Sequence, residues 1–222
     1  MPRSIRPLDI AVWTPYVVLA IIHVIALAAQ SPLAAPTKLT LMPLLALPVA
    51  AAAPRLRPRV TVALLLTALL LSWLGDGAGA FFPGGPELPL MLLFFGLAHV
   101  VYIVVFLRFA SIRRLPRWTL LYAAWWIGML AVVGPHVGNL FFAVAAYGLV
   151  LAGTAATSAR GNAVIATGGA FFLASDSILA FRLFLPEAMP AWTSPAVMLT
   201  YTLGQGLIIA GVIRALRSEK DG

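Results

Sequence analysis

Residues 162–184 read NAVIATGGAFFLASDSILAFRLF. The stretch carries only two charges, Asp176 and Arg182. A helix needs roughly 20 predominantly apolar residues to cross a bilayer. Length and composition therefore predict a transmembrane helix with Asp176 inside it. Residues 69–81, LLLSWLGDGAGAF, hold a second such acid, Asp76, at the end of another apolar segment. A carboxylate at membrane depth is costly and rarely incidental. Two of them in different helices suggest a buried acid/base site.

The whole chain fits this reading. It has 222 residues, 62% hydrophobic and 10% charged, with a mean hydropathy of +0.99. Soluble domains carry about 25% charged residues. The expectation is an all-α, polytopic transmembrane bundle forming one integral membrane domain over 1–222. Its 18 glycines and 17 prolines suit membrane helices, which tolerate both. The net charge of +8 reads as basic loops beside anionic head groups rather than a nucleic-acid surface. Cysteine is absent, which excludes disulfides and thiolate chemistry. The start resembles a signal peptide, but its apolar stretch of about 20 residues exceeds a usual secretory core. It reads as the first membrane helix.

Breaks at Pro, Gly and Arg clusters place helices near 10–29, 38–53, 60–76, 88–107, 117–133, 138–157, 162–184 and 194–214. Pro43, Pro48 and Pro54 interrupt the second and third. With eight spans, both termini and the even-numbered connections share one side. That side holds 13 of the 15 basic residues, all but Lys38 and Arg182. The positive-inside rule makes it cytoplasmic, in the cell (inner) membrane. Asp76 then lies roughly 24 Å along the third helix and Asp176 roughly 21 Å along the seventh, both running outward at 1.5 Å per residue. His99, Tyr201 and Gln205 fall at comparable depth on helices running inward. The polar groups converge in the outer half of the membrane.

Each polar residue has a plainer reading. Asp76 caps its helix among Gly75, Gly77 and Gly79; Asp176 makes a structural bond between helices. His99 belongs to a stripe, Phe95, His99, Tyr102 and Phe106, at helical spacing, where a histidine is often hydrogen-bonded core. Tyr201 and Gln205 share a face at i, i+4 and serve as interhelical glue. Lys38 snorkels to the head groups. Trp73 belongs to an aromatic belt. His23, His136 and Arg182 are weaker candidates. Three histidines without HxxH spacing, and no cysteine, give no metal site. No GxSxG or Walker A pattern occurs. The 100-residue separation of the two aspartates hints at two parallel four-helix halves, although Lys38 and His99 find no counterparts at Gly138 and Leu199.

Five motifs in order carry a resemblance: Thr37-Lys38-Leu39-Thr40 with Pro43; Ser72-Trp73-Leu74-Gly75-Asp76; Gly96-Leu97-Ala98-His99 with Tyr102; Ser175-Asp176-Ser177-Ile178-Leu179-Ala180; and Tyr201-Thr202-Leu203-Gly204-Gln205-Gly206-Leu207-Ile208. Together they resemble the YhhN-type lysoplasmalogenases, eight-span membrane proteins. Gly204 stands where that family usually has Ala. The resemblance implies hydrolysis of the vinyl-ether bond of a lysophospholipid-type substrate to a fatty aldehyde and a glycerophospho-alcohol, with no cofactor.

Two carboxyls suit that chemistry. A vinyl ether is hydrolysed by protonation at carbon, which gives an oxocarbenium ion that water attacks. Glycosidases meet a related cation with a carboxyl pair. Withdrawal from water and a neighbouring carboxylate both favour the protonated form of one member. Asp76 and Asp176 are the catalytic candidates, and the sequence leaves open which is the acid. His99 or Tyr102 would orient a carboxyl or water, Lys38 would meet the phosphate, and Trp73 would face a quaternary ammonium. Tyr201 and Gln205 complete the candidate site. The rival class is a small lipid or solute transporter with the acids as a proton relay, for which a clear repeat and broken helices in both halves are expected.

Overall fold

A computed structural model describes the backbone of residues 7–218. Arg3, Arg6 and Lys220, which contribute to the charge asymmetry, lie outside the described residues. Among the described residues every regular element is helical. The α-helices are α1 (Pro7–Ala28), α2 (Ala34–Ala52), α3 (Val60–Asp76), α4 (Ala78–Phe81), α5 (Glu87–Arg108), α6 (Leu120–Val133), α7 (Phe141–Ser158), α8 (Ala163–Phe184) and α9 (Thr193–Ser218). Helices α1, α2, α3, α5, α6, α7, α8 and α9 overlie the eight expected segments, with ends that differ by up to four residues. Seven are long and apolar enough to cross a membrane, once the short 3₁₀ turns flanking α6 and α7 are included. The eighth, α3, is apolar but has 17 residues. The chain is a multi-pass membrane protein.

The unexpected element is α4. Gly77 interrupts the helix that began at Val60, and its carbonyl then accepts from the Phe81 N–H at 2.8 Å to start a further turn. Asp76 is therefore the last residue of α3, beside a break. Conversely, α2 runs unbroken through Pro43 and Pro48, where the sequence suggested interruption. Neighbouring helices supply what such prolines remove from the backbone ladder, as the Trp73 contact below shows. At α8 the start is fixed by Asn162, whose side-chain oxygen accepts from the Ile165 N–H at 3.0 Å. That is the usual chemistry of an N-cap.

The helices pack in a closed circuit. α1 lies on α2, α2 on α3, α3 on α5, α5 on α7, α7 on α8, α8 on α9, and α9 returns to α1. α6 packs on α7 from outside the circuit. Accordingly, 61% of the α9 span is buried against 11% for α6. The outer surface carries Ile21, Ile25, Leu70, Leu93, Leu121 and Phe142 in exposed positions, as lipid contact requires.

The α8–α9 contact is the tightest. A Cβ on Gly168 would meet the Ile208 backbone nitrogen at 2.7 Å, and one on Gly204 would meet that of Phe172 at 2.8 Å. The two backbones touch there, and small residues allow the approach. The seam holds Asp176 on α8 and Tyr201 and Gln205 on α9 in fixed relation.

Candidate active site

Two hydrogen-bonded groups of polar side chains lie inside the circuit. The first is built on Asp76, whose side chain is 4% exposed. Lys38 Nζ, from the first turns of α2, lies 3.6 Å from Asp76 Oδ1. The Tyr201 hydroxyl, from α9, donates to Oδ2 at 2.7 Å. One turn further along α9, Gln205 is fully buried. Its Nε2 donates to Ser72 Oγ at 3.0 Å, and its Oε1 accepts from the Tyr102 hydroxyl at 2.5 Å. The i, i+4 pair on α9 thus reaches α3 and α5 from one face.

The second group is built on Asp176, in the middle of α8. The Tyr147 hydroxyl, from α7, donates to Asp176 Oδ2. His99 Nε2, from α5, lies 3.6 Å from the same oxygen and 3.5 Å from the Tyr147 oxygen. The other ring nitrogen, Nδ1, is 3.1 Å from Thr154 Oγ1. Phe172 joins the groups: its ring meets His99 edge-on with centroids 4.6 Å apart and Tyr201 edge-on at 5.4 Å.

Seven of the eight residues singled out in the sequence therefore belong to the two groups directly: Lys38, Asp76, Tyr201, Gln205 and Tyr102 in the first, His99 with Asp176 in the second. Tyr102 touches Gln205 rather than a carboxylate. Trp73 does something different. Its indole N–H donates to the Leu39 carbonyl at 2.8 Å. Pro43 has no N–H to offer that carbonyl one turn away, so Trp73 supplies the missing donor. Its ring stacks at a tilt on Phe81, with centroids 4.4 Å apart. Among the weaker candidates, His23 is buried with Nδ1 2.9 Å from Thr37 Oγ1. Arg182 donates to Thr193 Oγ1 at 2.6 Å rather than to Asp176. His136 is exposed, with Nδ1 3.2 Å from the Val132 carbonyl.

The sequence reading missed Tyr147 and Thr154. They stand at i, i+7 on α7, two turns apart and so on one face, a spacing visible in YGLVLAGT.

The profile of the YhhN family matches residues 33–212. The chain belongs to the YhhN family. Among curated proteins and among solved structures nothing matches it. The YhhN match covers both polar groups, from Lys38 to Gln205. In this YhhN chain the two acids differ in company: Asp76 has a lysine and a tyrosine, Asp176 a histidine and a tyrosine. Such an arrangement can hold one carboxyl as an anion beside a cation and let the other exchange a proton.

Proposed function

We propose that the protein hydrolyses the vinyl-ether bond of a single-chain lysoplasmalogen-type lipid, with Asp76 and Asp176 as the acid/base pair. One carboxyl protonates the alkenyl carbon distal to the ether oxygen. The carbon–carbon double bond becomes a single bond and the adjacent carbon an oxocarbenium ion. The other carboxylate stabilises that cation. Water adds to it and loses a proton, giving a hemiacetal. Collapse transfers the hydroxyl proton to the departing oxygen and breaks the carbon–oxygen bond. The products are a fatty aldehyde and a glycerophospho-alcohol, and the net reaction consumes one water. The chemistry asks for a proton and a water, both within the competence of side chains.

The observation that carries the reading is the pair of buried aspartates, each with its own tyrosine donor, in a member of the YhhN family. An apolar, lipid-facing exterior supports a substrate arriving from the bilayer. The transport alternative calls for broken helices in both halves, whereas Asp176 sits within the uninterrupted α8. The test is purified protein in detergent with alkenyl, alkyl and acyl lysolipids carrying ethanolamine or choline head groups. Aldehyde is expected from the alkenyl lipids alone, in step with the freed glycerophospho-alcohol. No aldehyde from any alkenyl lipid would overturn the proposal.

A further inference from the structure

Counting hydrogens separates the two aspartates. Thr154 has one hydroxyl hydrogen, and the Val150 carbonyl one turn back accepts it at 2.9 Å. Assigning that hydrogen to the carbonyl makes the Thr154 oxygen the acceptor for His99, which donates through Nδ1–H. A neutral imidazole bonded this way presents a bare lone pair at Nε2. That nitrogen faces Asp176 Oδ2, and the Tyr147 hydrogen is already committed to the same oxygen. The gap between Nε2 and Oδ2 has two acceptors and lacks a donor. One proton fills it. Among the described residues no lysine or arginine pairs with Asp176; its ion-pairing neighbour is His99. In apolar surroundings a neutral acid beside a neutral base avoids isolating two charges from water.

Asp76 is arranged in the opposite sense. Oδ1 faces the Lys38 ammonium and Oδ2 takes the Tyr201 hydrogen. Both oxygens meet donors, so an added proton would displace one and leave the ammonium without its counter-charge.

We infer that Asp176 is the carboxyl that carries the reacting proton, that Asp76 is kept as the anion by Lys38, and that Tyr147, His99 and Thr154 are positioning residues for Asp176. This assignment builds on the hydrolysis proposed above. Asp176 gives its proton to the alkenyl carbon and becomes a carboxylate facing His99. The attacking water returns one proton to Asp176 and passes its second to the departing alcohol oxygen, which restores the starting state. Asp76 stays charged throughout and faces the cation.

Infrared difference spectra of the whole protein in detergent, in light and heavy water, test the assignment without substrate. At neutral pH the protein is expected to show one buried carboxylic-acid carbonyl band that shifts in heavy water. Asp176→Asn removes it and Asp76→Asn keeps it. Lys38→Met adds a second band as Asp76 takes up a proton. Tyr147→Phe and His99→Gln keep the first band and move its frequency, which serves should Asp176→Asn fail to fold. Absence of a neutral-carboxyl band, its loss in Asp76→Asn instead, or unmoved spectra in Lys38→Met and Tyr147→Phe would each overturn the assignment. Bands as expected with no aldehyde from any lipid would leave the proton assignment standing and remove the hydrolase reading. Aldehyde release with the opposite band pattern would do the reverse.

Discussion

At the scale of single residues, chemistry and structure pull on the same side chains. Asp76→Asn and Asp176→Asn preserve size, and each is expected to lower aldehyde release at least about 100-fold, the lower end of what general acid catalysis supplies. The double variant should lose little beyond either single one, because residues acting as a unit are not additive. Turnover measured with intact folding by thermal unfolding checks both statements. Either single variant retaining more than about a tenth of wild-type activity is incompatible with an acid/base role on that rate scale. Turnover should also slow in heavy water, since the proposed mechanism puts proton transfer to carbon in the barrier. Both aspartates and His99 stood out in the sequence because a titratable group in an apolar span is conspicuous. Tyr147 and Thr154 did not, because tyrosine and threonine are ordinary in such spans and gain meaning only from the helix they face.

At the scale of elements, the link between α2 and α3 is the most exposed to test. Trp73→Phe keeps the ring and removes the N–H, leaving the Leu39 carbonyl without its donor. A partner lost from a buried acceptor costs about 1–3 kcal/mol; Leu39 is half-buried, so the lower part of that range is expected, read as a lower unfolding temperature in detergent. Adding Pro43→Ala restores an N–H one turn from Leu39, and the double variant should recover most of the loss in a mutant cycle. A Trp73→Phe variant as stable as the parent would show the bond to be incidental. On the seam between α8 and α9, Gly204→Ala places a methyl 2.8 Å from the Phe172 backbone nitrogen, so the helices must part. A fall in unfolding temperature is expected, and an unchanged one would show that the seam yields to a methyl group. The location of every long helix was legible, though not its ends, because apolar length and Pro, Gly and Arg punctuation are local signals. How each helix is turned toward its neighbours was not, since the rescue of a proline in α2 depends on a tryptophan 30 residues later.

At the scale of the whole molecule, the arginine-bearing connections gather at one end of the bundle. The Ile112 N–H donates to the Arg160 carbonyl at 2.9 Å, joining the α5–α6 and α7–α8 connections. Asn162 Nδ2 donates to the Gly211 carbonyl at 2.9 Å, tying the same end to α9. Lys38 and Asp76 pair near the other end. By the positive-inside rule the arginine end is expected in the cytoplasm. Reporter fusions at Gly222 and within residues 82–86 are expected on opposite faces of the membrane; fusions on the same face would contradict eight crossings.

The backbone contact of α8 with α9 also has a bearing on traffic. Where Gly168 and Gly204 let main chain rest on main chain, no slit is wide enough for an alkyl tail. If the substrate is the bilayer lipid proposed above, it would have to part some other pair of neighbours in the circuit, and would then meet Asp176 and Tyr201 as the far wall. On that reading the doorway and the wall are different helices, and a variant that widens or narrows the doorway is expected to alter which chains are admitted without disturbing the α8–α9 seam.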